Sequence, residues 1–352
     1  MNQNKINELS ERILNETNSA MTCLNLYIGY KLNLFKILAE AGEITSAEFI
    51  GKTKLSKRYL QEWLECMTVQ GYIEFDSATG NFTLPPEHQA VLCDRGNEAY
   101  TIPFVCWIPS FSLVLEKLIE AFRTGEGIPY SHYGQDLIEA QGEGNRPMFI
   151  NNITGWIAAM PDLKEKFETI GAKVADVGCG DGWASIALAK AFPLTKIDAI
   201  DVDEMSVQNT SKNIEKNNLS DRITVYNMPI EKISHKDQYD LVMSFETIHD
   251  MAYPVEALSQ MRKMVFPNGS VLIADVKMNE NLIDKKDFPG RLYYNFSVLL
   301  CLPQSLVYPD SKGTGAAMSP STFQKYVKEA GFSKTENLSV DHLLWRFYRL
   351  KP

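Results

Sequence analysis

Two short segments of this 352-residue chain carry residue types that could do chemistry, and the first is a glycine-rich turn. Gly178-Cys179-Gly180-Asp181-Gly182 follows the apolar run Val174-Ala175-Asp176-Val177 and precedes a predicted helix. Glycine lets the backbone turn sharply and approach a ligand closely, which a β-carbon would hinder. Strand, glycine-rich turn and helix form the nucleotide-binding arrangement of a doubly wound sheet. The segment therefore predicts a site for a nucleotide-like ligand.

An acidic residue at the end of the next predicted strand supports a nucleoside ligand. Asp201 follows the turn by about 20 residues and can accept both hydrogen bonds of a ribose cis-diol. Val202 would then lie beside the adenine. Asp201 could instead be a turn acid or a helix cap, although Asp203 is the better cap candidate because a helix is predicted from Met205.

The second chemical segment is His249-Asp250, which comes just after a predicted strand ending near Ser244. Ligands of doubly wound folds bind at this carboxyl edge of the sheet. Histidine, with a pKa of about 6.5, can take a proton from a hydroxyl group at neutral pH. Asp250 could orient His249 or contact a substrate. Both residues also have structural alternatives, as a satisfied histidine and as the N-cap of the following helix.

Two other enzyme classes fit these segments less well. The dinucleotide fingerprint requires a glycine five residues after Gly178, and that position holds Trp183. A metal-dependent hydrolase would need further histidine and aspartate ligands near His249, which the sequence does not supply. We predict no metal site.

The cysteines are scattered, which indicates free thiols and a reducing cytoplasm rather than a zinc site or a disulfide framework. The six are Cys23, Cys66, Cys93, Cys106, Cys179 and Cys301.

Alternating strand and helix patterns from residue 171 onward must position both segments. This alternation of strands and helices predicts an α/β fold with a Rossmann-like, doubly wound parallel sheet over residues 171–352. Residues 96–170 are predicted to be a mostly helical connector with breaks at 125–129 and 142–147. The predicted strands are Lys173–Val177, Lys196–Asp201, Arg222–Tyr226, Tyr239–Ser244 and Ser270–Ala274.

Residues 1–95 have the pattern of a winged helix-turn-helix. A capping box at Thr45–Glu48 begins one helix, a second helix follows Ser56, and two short strands are predicted at 72–75 and 81–84. The charge argues against DNA as its partner, because this segment has nine basic and twelve acidic residues and the whole chain has a formal net charge of −9. Dimerisation or lining a substrate pocket is the favoured role.

Two uncharged stretches, 101–115 and 292–309, are interrupted by prolines or polar residues. A membrane span needs about 20 predominantly apolar residues, so we predict no membrane segment. The aromatic-rich segment 288–309 could roof an acceptor pocket, or it could belong to the core or to a dimer interface. Tyr133 and Trp156 in the connector could also reach this pocket.

The motifs together resemble class I S-adenosylmethionine (SAM)-dependent methyltransferases. Residues 175–182 are similar to their first motif, Asp201 to their second acidic position, 239–242 to their fourth strand and 264–270 to the turn before their fifth. This resemblance implies that Asp176, Gly178, Cys179, Gly180 and Phe245 lie at or near the cofactor. In place of the family's adenine-binding acid after strand three, this chain has Asn227, which we leave unassigned.

The segment around His249-Asp250 resembles small-molecule O-methyltransferases, in which that histidine is the general base. Met251 replaces the family's tryptophan. Residues 176–182, 249–251 and 290–294 together resemble bacterial winged-helix methyltransferases of largely unassigned substrate. The resemblance implies methyl transfer to a small-molecule hydroxyl, with SAM as cofactor and a homodimer as the assembly. The alternatives are N-, C- or S-methylation with a structural His249, or a SAM-responsive DNA-binding regulator.

Overall fold

The computed structural model describes residues 1–352 and divides into two compact units, Met1–Ser112 and Leu113–Pro352. The boundaries predicted from the sequence, 1–95, 96–170 and 171–352, stay a prediction.

The first unit contains a winged helix-turn-helix. Its helices are α1 (Gln3–Lys31), α2 (Leu34–Ala41), α3 (Ser46–Lys52), α4 (Lys57–Val69), α5 (Pro86–Leu92) and α6 (Trp107–Ser112). Its strands are β1 (Ile44–Thr45), β2 (Glu74–Asp76) and β3 (Asn81–Thr83), which pair antiparallel in the order β1-β3-β2. The predicted capping box is present, because Thr45 and Glu48 each bond the other's backbone N–H.

The first strand of the wing begins later than predicted. The backbone N–H groups of Tyr72 and Ile73 both donate to the carbonyl of Met67 at the end of α4. Since these groups complete the helix terminus, they cannot pair with β3, and the strand covers 74–76 rather than 72–75.

The second unit contains the predicted α/β sheet. Its helices are α7 (Leu115–Thr124), α8 (Gln135–Ala158), α9 (Pro161–Thr169), α10 (Trp183–Ala191), α11 (Glu204–Lys216), α12 (Pro254–Met264), α13 (Phe288–Phe296), α14 (Leu302–Ser305) and α15 (Pro320–Glu329). Its strands are β4 (Lys173–Val177), β5 (Lys196–Asp201), β6 (Ile223–Asn227), β7 (Tyr239–Phe245), β8 (Val265–Val276), β9 (Lys334–Asn337) and β10 (Trp345–Lys351).

The seven strands lie in the order β6-β5-β4-β7-β8-β10-β9. Strands β4 to β8 pair in parallel, and β10 pairs antiparallel with both β8 and β9. The chain order reverses between β4 and β7, so the crevice above these two strands is the place where ligands of doubly wound sheets bind. Both chemical segments begin at this point of the sheet edge.

Helix α8 corrects the predicted break at 142–147. It runs without interruption through Gly142 and contains Pro147. Packing favours a small residue at position 142 and an apolar residue at position 147. A β-carbon at Gly142 would lie 2.2 Å from a carboxylate oxygen of Asp181, and Pro147 is buried.

No single helix of the chain is long and apolar enough to cross a membrane, whereas the bent pair Ile102–Ser112 and Leu115–Thr124 passes that test only when taken together.

Candidate active site

The turn after β4 is built from glycines with positive φ. Gly178, Gly180 and Gly182 have φ values of 71°, 52° and 79°, a region that other residues enter at a cost. A β-carbon on Gly178 would lie 2.3 Å from the Thr247 side chain, whereas one on Gly180 would meet nothing within 4 Å. The turn therefore packs tightly against the segment after β7 and leaves open space at Gly180, where a ligand can approach the backbone.

Asp201 connects this turn to the end of β5. Its Oδ2 accepts from the N–H of Gly180 at 2.8 Å, and its Oδ1 accepts from the N–H of Asp203 at 2.9 Å. Burial raises the pKa of Asp201. The N-cap of α11 is Asp203, which accepts from the N–H of Ser206, so Asp201 is not the helix cap. Val202 beside it is 57% exposed.

Asp176 and Cys179 are buried beneath the turn. The Ser185 hydroxyl donates to Asp176 at 2.7 Å, and burial raises the pKa of this carboxyl to about 7. Burial also raises the pKa of the Cys179 thiol. Both side chains support the turn from below, and their predicted contact with a cofactor stays a prediction.

No role was predicted from the sequence for Asp181 within the turn or for Arg146 beside it. Asp181 accepts from the side-chain amide of Asn209 at 3.2 Å, and burial raises its pKa to about 7. The guanidinium of Arg146 on α8 lies 4.8 Å from the ring centre of Trp183, the first residue of α10. A cation stacked at a helix N-terminus favours an anionic ligand group there. Only the three-dimensional packing of α8 on α10 brings Arg146 to this position.

Phe245 and Trp156 lie in an aromatic cluster of the core. Their ring centres are 5.5 Å apart, and both rings also pack against Phe149 and Trp345. Trp156 is buried in this cluster, and the prediction that it could reach a pocket stays a prediction. Phe245 is buried in the same cluster, and its predicted proximity to the cofactor stays a prediction.

His249 lies in a 3-10 turn, Ile248–Asp250, just after β7 and is 4% exposed. Its Nδ1 is 2.5 Å from Oδ1 of Asp275 near the end of β8, and its backbone N–H donates to Oδ2 of the same carboxylate at 3.3 Å. Asp275 therefore fixes both the orientation of the ring and the tautomer, with the proton on Nδ1 and Nε2 available as acceptor. The sequence analysis ended this strand at Ala274 and missed Asp275, one residue later.

Asp250 lies on the other side of the imidazole. Its Oδ1 is 3.3 Å from Nε2 of His249. The N-cap of α12 is Tyr253, so the alternative of Asp250 as that cap is not seen. Burial lowers the pKa of His249, but Asp250 and Asp275 outweigh it and hold this pKa well above the ordinary value.

The thiol of Cys301 completes this group. The ligand atoms of His249, Asp250 and Cys301 all lie within 4.8 Å of one another, a spacing at which three side chains can share a metal ion. Burial raises the pKa of the Cys301 thiol to about 12. The absence of a metal site stays a prediction.

The segment 288–309 contacts the connector, residues 96–170, at three points. The Tyr133 hydroxyl donates to the carbonyl of Leu299 at 2.7 Å, and the N–H of Ile128 donates to that of Pro303 at 2.9 Å. A β-carbon on Gly127 would lie 2.1 Å from the backbone nitrogen of Val307. Tyr133 is therefore fully buried between these two segments, and the prediction that it could reach a pocket stays a prediction.

Tyr130, three residues earlier, is half-buried and was not indicated by the sequence pattern. Burial, together with the charges of Asp250, Asp203 and Asp201, raises its pKa.

The comparisons with known proteins agree with this geometry. A family model described as a methyltransferase domain matches residues 168–313. The chain contains a methyltransferase domain. A second model, described as an Rv2258c-like winged HTH domain, matches residues 20–94 and confirms the predicted winged helix.

Relatives by sequence match about a third of this chain. A ribosomal protein L11 methyltransferase of Thermosipho melanesiensis is 36% identical over 114 residues, covering 32% of this chain and 42% of its own length. A ubiquinone biosynthesis O-methyltransferase of Psychrobacter arcticus is 26% identical over 127 residues, covering 36% and 49%. The chain thus spans less than half the length of these relatives.

Solved structures match along nearly the whole chain. The mitomycin 7-O-methyltransferase MmcR has a TM-score of 0.74 at 16% identity, with 99% of each chain covered. Human N-acetylserotonin methyltransferase, solved in complex with SAM, has a TM-score of 0.73 at 15% identity, with 97% of each chain covered. PigF, solved with S-adenosylhomocysteine (SAH), has a TM-score of 0.73 at 16% identity, with 97% of this chain and 99% of that chain covered. These matches confirm the predicted fold class.

Proposed function

We propose that this chain transfers the methyl group of SAM to a hydroxyl oxygen of a small-molecule acceptor, with His249 as the general base. The observation that carries this proposal is the 2.5 Å contact between Nδ1 of His249 and Asp275 at the ligand-binding edge of the sheet. A carboxylate on Nδ1 stabilises the imidazolium that forms when Nε2 takes a proton. Asp250 lies near Nε2 and contacts the acceptor.

The residues around the glycine turn fit SAM. Gly178 and Gly180 let the backbone approach the methionine portion, and Asp201 holds the ribose hydroxyls, with Val202 beside the adenine. When bound, SAM supplies an electrophilic methyl group on a sulfonium. The protein's task is to hold the acceptor oxygen in line with that methyl group, and such orientation can contribute about 7–11 kcal/mol. The segment 288–309 and Tyr130 close the site against water.

Arg146 is the proposed partner of the cofactor's carboxylate. We expect Arg146→Met to weaken SAH binding about 10–100-fold, because a hydrogen bond to a charged group contributes about 1.5–3 kcal/mol. Binding of 5′-methylthioadenosine, which lacks the amino-acid portion, should stay unchanged. Calorimetry with the two ligands measures both affinities. An equal loss for both would contradict a carboxylate contact.

The choice of oxygen as the methylated atom is the finer part of the proposal. If nitrogen, carbon or sulfur is methylated, His249 is structural and its removal leaves the rate of methyl transfer nearly unchanged. The dinucleotide alternative is tested by thermal stabilisation, which we expect from SAH and not from NAD. For the DNA-binding alternative, we expect no salt-dependent binding of duplex DNA, because Arg58 at the start of α4 is paired with Glu62.

Helix α1 supports the proposed homodimer. Seven of its apolar side chains are 40–68% exposed, which is unusual for a surface that contacts only water. They are Ile6, Leu9, Ile13, Leu14, Met21, Leu24 and Ile28. A second copy of this chain is the proposed partner of this face.

The double variant Leu9→Glu, Ile13→Glu is expected to be a monomer by light scattering at concentrations where the wild type is a dimer. Its helical content by circular dichroism should change little, because both side chains are exposed on the single chain. Ser10→Glu on the same helix adds charge without removing an apolar group and is expected to stay dimeric. A monomeric wild type would overturn the proposed dimer.

A further inference from the structure

Glu246 occupies a backbone conformation that its residue type does not favour. It follows the last residue of β7 and has a φ of 50°, in the left-handed region. Glycine or asparagine adopts this conformation at lower cost. Because strained residues cluster at functional sites, the side chain of Glu246 is a candidate for a role in the chemistry three residues away at His249.

The Tyr293 hydroxyl has two oxygen partners but only one proton to donate. On α13, it lies 2.9 Å from the backbone carbonyl of Leu344 and 3.1 Å from Oε1 of Glu246. A carbonyl can only accept, so we assign the proton of Tyr293 to the shorter contact. A second linear hydrogen bond, at the longer contact, then requires Glu246 to carry a proton and donate it to the phenol oxygen.

The length of that contact differs from that of a charge-assisted bond. A hydroxyl that donates to a carboxylate anion lies about 2.5–2.7 Å from it, and the contact with Glu246 is longer, at 3.1 Å. Burial raises the pKa of Glu246, and Asp275 acts in the same direction, against the opposing influence of Trp345, His249 and Tyr293.

We propose that Glu246 is a positioning residue that stays protonated at neutral pH through its contact with Tyr293, and that its neutrality lets His249 lose a proton. The consequence rests on the proposed function. Asp250 and Asp275 already flank the imidazole, so a third anion would bind the proton of His249 more tightly and weaken the base.

Infrared spectroscopy tests the protonation of Glu246 without any methyl acceptor. The difference spectrum between wild type and Glu246→Gln at neutral pH should contain the C=O band of a carboxylic acid. Glu280, an exposed residue whose pKa is lowered by hydrogen bonds from Ser321, provides the matched control. The difference spectrum between wild type and Glu280→Gln should contain carboxylate bands instead. Carboxylate bands for Glu246→Gln would overturn the proposal, even if no acceptor is ever found.

Kinetics test the effect on His249. With a phenolic acceptor that the wild type methylates, Glu246→Gln should keep kcat/KM within about threefold and leave its pH profile in place, because the amide is also neutral. Glu246→Ala should lose more, since it removes the contact with Tyr293. If Glu246 were ionised, Glu246→Gln would move the acid limb of the profile down by about one pH unit, and the proposal would be wrong.

Discussion

Replacing His249 with alanine is expected to lower kcat for methylation of a phenolic acceptor by about 10²–10⁴-fold. The rate falls because the variant lacks the imidazole that accepts the proton of the acceptor. Asp275 orients this imidazole through its contact with Nδ1. Binding of SAH should stay within about threefold of wild type, because the proposed cofactor contacts lie on the other side of the turn. Rates with radiolabelled SAM and calorimetry with SAH measure the two effects.

Two variants serve as controls for His249. Asp275→Asn keeps the shape of the carboxylate but stabilises the imidazolium less. We therefore expect kcat to fall, but by a smaller factor than in His249→Ala. His132 is exposed and contacts Lys117, and His132→Ala should leave the rate unchanged. An acceptor methylated equally fast by His249→Ala would show that His249 is structural.

The pH dependence of kcat/KM follows from the same residue. His249 must be neutral to act as a base, and its flanking carboxylates raise its pKa above the ordinary value. Activity should therefore rise with pH and be lost as the pH falls through a value above about 6.5. In His249→Ala this acid limb should disappear.

Replacing Asp201 with asparagine is expected to weaken SAH binding about 100-fold. Its carboxylate can accept from both ribose hydroxyls while it holds the N–H groups of Gly180 and Asp203, and an amide can accept fewer of these bonds. Each hydrogen bond to a charged group contributes about 1.5–3 kcal/mol. Calorimetry with SAH measures the loss, and circular dichroism verifies that the variant is folded.

Asp203→Asn is the matched control, because Asp203 caps α11 and asparagine caps helices equally well. We expect its SAH affinity to stay within about threefold of wild type. If Asp201→Asn binds SAH as tightly as Asp203→Asn does, the ribose assignment fails. Another residue must then bind the ribose of the proposed cofactor.

The central strands could be predicted from the sequence because parallel strands buried on both faces have a clear apolar signal. Strands β4 and β5 begin and end where the sequence analysis placed them, Lys173–Val177 and Lys196–Asp201. The glycine turn between β4 and α10 follows directly from this pattern. Local sequence therefore determines the half of the site that we assign to the cofactor.

The other half depends on contacts that no local pattern contains. Asp275 meets His249 because β7 and β8 are paired neighbours in the sheet, and Arg146 meets Trp183 because α8 packs on α10. The pairing of Glu246 with Tyr293 joins segments 47 residues apart. A listing of acidic residues at the ends of all predicted strands would have found Asp275, whereas Arg146 had no such signal.

The ties between residues 127–133 and 299–307 bear on how acceptor preference can change. Gly127 packs directly on the Val307 backbone, and two hydrogen bonds lie on either side of that contact. The two segments are therefore complementary in shape to each other. Transplanting residues 288–309 into a related enzyme without 127–133 would leave both partners mismatched. A change of substrate range by recombination therefore requires both pieces of chain to be exchanged together.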